Sequence, residues 1–423
     1  MRSLAEGSGS HEAEPVITDF WQAADRQPAG HEASLARLRS LILSTQQPAT
    51  CTRICRLASA YHGGALADVR RIAYALMYAV THDCSLTGNW PYFGHTANGS
   101  AFITTNPEMR QRCISSGRKG LRCYFLPTST CDNVTAPTAT RWNLKLDQKF
   151  HLGVTLDKVR QRTGLRSEVL IMGTLVAWVM RPQPELREAI LRYGTAAGLA
   201  EPGARHRRIA MHVRHGDKHS LYSKHMKEHG WRVGAQSFDA WGRRVAADIG
   251  AERALYMTDD PRVMSALESS GDDFFRLVPA PRNCMPSYAA GVLGKHHIPA
   301  ATTLSKMHQK SKSDATSLRA ADASAACGPR YLVDDGIQLF AGVYLLGQCA
   351  ALIGTQISNI DAAAVELQAT LRHPPTFYDV LNDMHRACLS DEHVWFAGTN
   401  TYTRTLANDR LALGFGNYTD GNC

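Results

Sequence analysis

The chain is short of the features that mark several common classes of protein. Its most apolar run, residues 169–180, is 12 residues long and contains Gly173 and Thr174, whereas a membrane span needs about 18 or more consecutive apolar residues. That run predicts a buried helix, and no membrane span is read from the chain. Residues 1–30 are polar and mixed in charge, with no apolar core of a secretory leader. There is no Cys-x-x-Cys pair, which excludes a zinc ribbon. Neither G-x-G-x-x-G nor G-x-x-x-x-G-K-[ST] occurs, so the ordinary dinucleotide and ATPase loops are excluded. No internal repeat of solenoid or propeller period is present.

What remains is a globular composition. The 423 residues are 44% hydrophobic and 20% charged, and at roughly 150 residues per domain they make about two to three domains. Lys+Arg 47 against Asp+Glu 38 gives +9, an excess that favours anionic partners. A nucleic-acid-binding protein would need a dense basic face with aromatics. The only compact basic run is Arg205 to Arg208, at the start of a strand, so nucleic acid is not expected as a partner.

Of the 11 cysteines, Cys51, Cys55, Cys84, Cys113, Cys123 and Cys131 crowd the first third. They are expected to pair as disulfides, with at least one thiol elsewhere unpaired. The sequons at Asn98, Asn133 and Asn417 point the same way, to a secretory-pathway lumen. The missing anchor then implies an incomplete or trimmed N-terminus.

Along the chain, residues 35–60 read as mixed and helical, ending in Tyr61-His62-Gly63-Gly64. Residues 65–80 have apolar positions at helical spacing, so a glycine loop feeds a helix N-terminus. Such a loop can bring backbone amides to a ligand or can be simple chain geometry. Residues 84–131 read as short strands and loops around Asn89-Trp90-Pro91-Tyr92. Residues 156–193 read as two helices flanking Arg181-Pro182-Gln183-Pro184, the prolines ending one and starting the other.

From residue 205 strands and helices alternate: strands at 208–213, 253–258, 273–278 and 350–354, helices at 237–249, 261–268, 337–348 and 361–371. This is the rhythm of an α/β, doubly wound parallel sheet with helices on both faces. Residues 279–330 interrupt it and read as a flexible insertion. The expected division is an N-terminal extension (1–50), an N-terminal α/β and helical domain (51–204), a Rossmann-like domain (205–373), and a C-terminal tail (374–423) packing back on the core.

Ligands of open parallel sheets bind at the carboxyl ends of strands, and three polar clusters follow predicted strands. In His212-Val213-Arg214-His215-Gly216-Asp217-Lys218, His212 and Arg214 project to one face, where a guanidinium can fork two oxygens of a diphosphate. Lys218 adds a point charge and Asp217 orients the pair. Thr258-Asp259-Asp260-Pro261 offers two carboxylates to sugar or base hydrogens, or a plain helix N-cap at Asp260. Gly354-Thr355-Gln356-Ile357-Ser358-Asn359 places hydroxyls and amides at a helix N-terminus, either an anion site or an ordinary cap. Together the three describe a nucleotide-diphosphate pocket. No Asp-x-Asp occurs, so the carboxylates that usually hold a metal against a nucleotide-sugar diphosphate are missing and arginine and lysine take their place. The i, i+4 pairs His215/His219 and His225/His229 admit zinc only if helical, and Gly216, Ser220 and Gly230 argue for loop; no metal is expected.

His-x-Arg-x-x-Asp-Lys after a strand, here His212, Arg214, Asp217 and Lys218, resembles the GDP-fucose motif of the α1,6-fucosyltransferase (core fucosyltransferase) family. The glycine pair with its helix, Asn89-Trp90-Pro91-Tyr92, Arg181-Pro182-Gln183-Pro184, Thr258-Asp259-Asp260-Pro261, Leu346-Gly347-Gln348-Cys349 leading to Thr355 and Ser358, and Phe396-Ala397-Gly398 fall in the family's order, over residues 51–400. The resemblance implies a GT-B-like, two-domain, inverting and metal-independent glycosyltransferase of the Golgi or secretory lumen. Its donor substrate would be GDP-fucose, its acceptor a glycan or glycoprotein, with no cofactor. It implies that His212, Asp259 and Asp260 hold nucleotide or sugar, Arg214 grips the β-phosphate, and Ser358 and Asn359 close on the phosphates.

The chain departs from the family where the general base should lie: that spacing falls on Tyr222, and the nearest glutamate is Glu228, the candidate base. A family aspartate aligns with Gly342, and an acceptor-side lysine with Ser59. The alternative is a GDP-sugar-binding pseudoenzyme or glycan-binding module without turnover.

Overall fold

The computed structural model describes residues 15–23, 28–57, 65–88, 111–113, 115–118, 120–132, 140–144, 152–213, 235–258, 267, 271–278, 335–355, 358–379 and 385–387. In order these form α1 (Glu32–Gln46), β1 (Arg53–Leu57), α2 (Ala65–Thr81), β2 (Ser85–Gly88), β3 (Thr140–Leu144), α3 (Leu152–Thr163), α4 (Glu168–Val179) and α5 (Pro184–Ala196). There follow β4 (Arg208–Val213), α6 (Ala235–Ile249), β5 (Arg253–Thr258), β6 (Phe275–Leu277), α7 (Asp335–Leu346), β7 (Ala351–Gly354), α8 (Asn359–Leu371), β8 (Phe377–Asp379) and β9 (His385–Ala387).

Two sheets result, and the chain is α/β as the alternation predicts. The first is small and parallel, in the order β2-β1-β3. The second runs β6-β5-β4-β7-β8-β9, with β9 alone antiparallel to its neighbour. Numbered from β4, that order is 3-2-1-4-5-6, the doubly wound arrangement whose direction reverses between β4 and β7.

The second sheet is covered on both faces because successive residues of β4 point oppositely. Ile209, Met211 and Val213 pack with Val245 and Ala246 of α6. Ala210 faces the other way, into the large core built from α2, α4, α7 and α8. That core is continuous from the small sheet to the large one, taking in Leu57 and Leu86 as well as Leu255 and Leu352. Its densest helix crossing is α4 on α8, made possible by Gly173: a Cβ there would lie 2.0 Å from the Glu366 carbonyl oxygen.

Three local expectations are corrected. Helix does not run through 35–60: α1 stops at Gln46 and β1 follows, because Arg53–Leu57 alternates exposed Arg53 and Arg56 with buried Ile54, Cys55 and Leu57. Between 152 and 196 there are three helices, not two. Gly164 at φ +74° ends α3, a conformation other residues resist, and Ser167 caps α4 by accepting from the Leu170 amide. The helix expected from residue 361 begins two residues earlier, at Asn359.

All six early cysteines pair: Cys51 with Cys131, Cys55 with Cys84, and Cys113 with Cys123. Cys349 is a free, buried thiol, pushed up to about 12 by burial. Part of the first 50 residues belongs to the core. Val16, Ile17, Phe20 and Trp21 are buried, and the Ile17 amide and carbonyl are met by the Gln348 side chain at 2.7 and 3.0 Å.

No described helix is long and apolar enough to cross a membrane.

Candidate functional site

The site lies where β4 and β7 end side by side. Met211 pairs with Ile353, so His212 and Gly354 are the next residues on each strand, at the point where sheet direction reverses. The sequence fits the place: β4 and β7 are buried along their whole lengths, and the chain becomes polar only on leaving β7, at Thr355 and Ser358.

His212 is 2% exposed, and its Nδ1 lies 2.6 Å from Asp361 Oδ1. The carboxylate can only accept, so Nδ1 carries the hydrogen. Nε2 makes no hydrogen bond with any described residue. Asp361 Oδ2 accepts from the Thr355 amide at 2.7 Å and from its hydroxyl at 3.3 Å. Ser358 caps α8, its Oγ accepting from the Asp361 amide at 3.5 Å. Gly354 is required here, since a Cβ would stand 2.6 to 2.8 Å from the Asp361 carboxyl atoms.

Of the predicted residues, then, His212, Ser358 and Asn359 are brought to one strand edge. Ser358 is the N-cap of α8, and the Thr355 amide is occupied by Asp361. Arg214, Asp217, Lys218, Glu228, Asp259 and Asp260 lie outside the described residues, as do Tyr222, Ser59, Gly63, Gly64, the histidine pairs and the sequons.

A second buried cluster backs the start of α8. Arg70 of α2, fully buried, donates Nε to Glu366 at 3.0 and 3.2 Å and has a second nitrogen 2.9 Å from the same carboxylate. That second nitrogen, Nη2, also reaches the Tyr74 hydroxyl, and Nη1 reaches Asn359 Oδ1, each at 3.3 Å. Burial pushes the Tyr74 hydroxyl up to about 12, so it stays protonated. Two residues earlier on α2, Asp68 is 2% exposed, its Oδ1 has no hydrogen-bond partner among the described residues, and burial raises its carboxyl to about 7 against the pull of Arg71.

Asp361, Arg70 and Glu366 were missed by sequence reasoning. Ser358-x-x-Asp361 carries the spacing of a capping pair, and Arg70 and Glu366 each interrupt an apolar helical run, a signal of a paired buried charge.

The Arg-Pro-Gln-Pro segment has a structural role. Arg181 stacks over Trp178 at 3.4 Å and donates to the Trp178 and Pro127 carbonyls, while Gln183 bonds the Tyr124 carbonyl through its amide at 2.7 Å and the Phe125 carbonyl through Nε2 at 3.1 Å. Burial lowers the Arg181 guanidinium to about 10, still charged at neutral pH. No three His, Cys, Asp or Glu side chains among the described residues converge as a metal site.

No protein-family model matches the chain, and no curated protein matches it. Among solved structures, the chain is similar to a NodZ alpha-1,6-fucosyltransferase co-crystallized with GDP, at 13% identity and a TM-score of 0.37, over 78% of this chain and 95% of that one. The same enzyme soaked with GDP-fucose matches at 12% and 0.34, over 78% and 94%. A mutant of Arabidopsis thaliana FUT1 in complex with GDP matches at 11% and 0.34, over 85% and 78%.

Proposed function

We propose that the chain is an inverting glycosyltransferase that moves L-fucose from GDP-fucose to a hydroxyl of a glycan or glycoprotein, of the α1,6 type, without a metal, in the lumen of the secretory pathway. The observation that carries the reading is the meeting of His212 with the start of α8 at the reversal point of the large sheet, where doubly wound sheets take nucleotides. The resemblance of His212, Arg214, Asp217 and Lys218 to the donor motif joins it, since that motif leaves β4 at this edge. Three disulfides in the first third suit an oxidising lumen.

In this reading His212 Nε2 accepts a hydrogen bond from the nucleoside. Arg214 forks the diphosphate and Lys218 adds charge, stabilising the negative charge that grows as the sugar leaves. Glu228 takes the acceptor proton. The acceptor oxygen bonds to fucose C1 from the face opposite the diphosphate, the bond from C1 to the phosphate oxygen breaks with its electron pair, and GDP departs. Asp259 and Asp260 accept from sugar or base hydrogens, and Ser358 and Asn359 close on the phosphates.

A second reading, donor binding without turnover, draws on Asp361, whose carboxylate occupies the Thr355 amide and brings negative charge to the helix start. Fucose transfer from labelled GDP-fucose to a panel of glycopeptides decides between them. Transfer that Glu228→Gln abolishes while GDP still binds supports catalysis. No transfer by the wild type, with GDP bound, supports the second reading.

A further inference from the structure

Asn359 is the first residue of α8, half-buried, and its one hydrogen bond to a described side chain comes from the first helix after the glycine pair: Arg70 donates to Asn359 Oδ1 at 3.3 Å. A guanidinium has donors and no acceptor, so the orientation of the Asn359 amide is fixed. Its oxygen must face Arg70, and the Nδ2 hydrogens, on the other arm of the same planar group, must face away from it. Nδ2 makes no hydrogen bond with any described residue. Arg70 cannot itself swing, because the same guanidinium is held by Glu366 at 2.9 to 3.2 Å and by Tyr74 at 3.3 Å, all within a fully buried cluster.

We propose that Arg70 is a positioning residue for the donor diphosphate: by holding the Asn359 oxygen it presents the two Nδ2 hydrogens to a phosphate at the start of α8. The inference rests on the donor-site reading above and deepens it. It also gives the helix start a donor pair in place of the Thr355 amide, which Asp361 occupies. The phosphate contact thereby depends on a residue of α2, whose own sheet is the small one, so that α2 and α8 must be in register for the donor to bind.

Calorimetric titration with GDP, alongside thermal melting, tests this on wild type, Asn359→Asp, Arg70→Lys and the double variant. In Asn359→Asp a carboxylate still pairs with Arg70, so the melting temperature is held or raised, but an acceptor now faces the phosphate and the Kd for GDP rises by about tenfold or more. In Arg70→Lys the ammonium keeps its charge against Glu366 without a fork to reach Asn359; the Kd rises severalfold, and the double variant is little worse than Asn359→Asp alone. Asn359→Asp binding GDP as wild type does overturns the inference. So does a folded Arg70→Lys with wild-type affinity; if that variant does not fold, Asn359→Asp against Asn359→Ser decides, the serine variant being expected to bind better than the aspartate. A wild-type chain that binds no GDP overturns the donor reading and the inference together.

Discussion

His212 and Asp361, 149 residues apart, stand 2.6 Å from each other at the reversal point of the large sheet, both nearly inaccessible to solvent. The histidine is the penultimate residue of β4 and the carboxylate stands in the first turn of α8, where the helix dipole favours a negative charge. Truncation by Asp361→Ala leaves the His212 Nδ1–H and the Thr355 amide without their acceptor in a dry site. The expected cost is about 3 kcal/mol or more, read from denaturant unfolding. Gly354→Ala should act on the same dyad, its Cβ displacing the Asp361 carboxyl, at about 1–3 kcal/mol.

Gly173→Ala tests the crossing of α4 and α8. The added Cβ would meet the Glu366 carbonyl oxygen at 2.0 Å, against backbone that no rotamer change can move. Relief requires α8 to shift, taking Glu366 off Arg70, and breaking a buried pair adds to the cost of overpacking. A loss of at least about 3 kcal/mol is expected, in contrast to less than about 1 kcal/mol for Leu191→Ala at an exposed position on α5.

Asp68 gives a dependence of stability on pH. Burial raises its carboxyl from 3.8 to about 7, so between those values the folded state keeps a proton that the unfolded chain has lost. Stability from this group is full below pH 3.8 and is lost as pH rises to about 7. Asp68→Asn removes the ionisable group. It should melt with wild type at pH 4 and be the more stable at pH 8, by a difference on the order of 4 kcal/mol at about 1.4 kcal/mol per pH unit. Parallel melting curves for the two proteins at every pH would count against it.

The Cys51–Cys131 bridge closes 80 residues of chain. Replacing the pair by serines releases that closure in the unfolded state, at about 4 kcal/mol in the chain-entropy account. Cys349, buried and with its thiol near 12, should escape alkylation in the native protein and react after unfolding, which peptide mass mapping reads directly.

Four strands of the large sheet, β4 to β7, were legible in the sequence because each is a short apolar run between polar turns, and β4 and β5 fall on the predicted residues; β8 and β9, three residues each, lie in the segment read as a C-terminal tail. Strand order was not, since a 3-2-1-4-5-6 arrangement depends on crossovers that local pattern does not encode. His212, Ser358 and Asn359 were found because polar residues at strand ends stand out. Asp361, Arg70 and Glu366 were passed over because a charge inside an apolar helix reveals a partner only once the helices are packed, and their partners lie 149 and 296 residues away. The two helices expected over 156–193 became three because Gly164 and Ser167 form a stop and a cap within one loop, a pair of signals weaker than the prolines nearby. Residues 35–60 were read as helix because β1 is only five residues long and its alternation is brief.

The measurement that bears most directly on the donor site is calorimetric titration of the wild type and of Arg214→Ala with GDP, GDP-fucose, GDP-mannose and UDP, with and without EDTA. The expected result is binding of the guanosine diphosphate ligands in preference to UDP, unaffected by EDTA and lost in a folded Arg214→Ala. Binding of none of them by the wild type, or equal binding of UDP, would contradict a GDP-sugar site at the β4 and β7 edge.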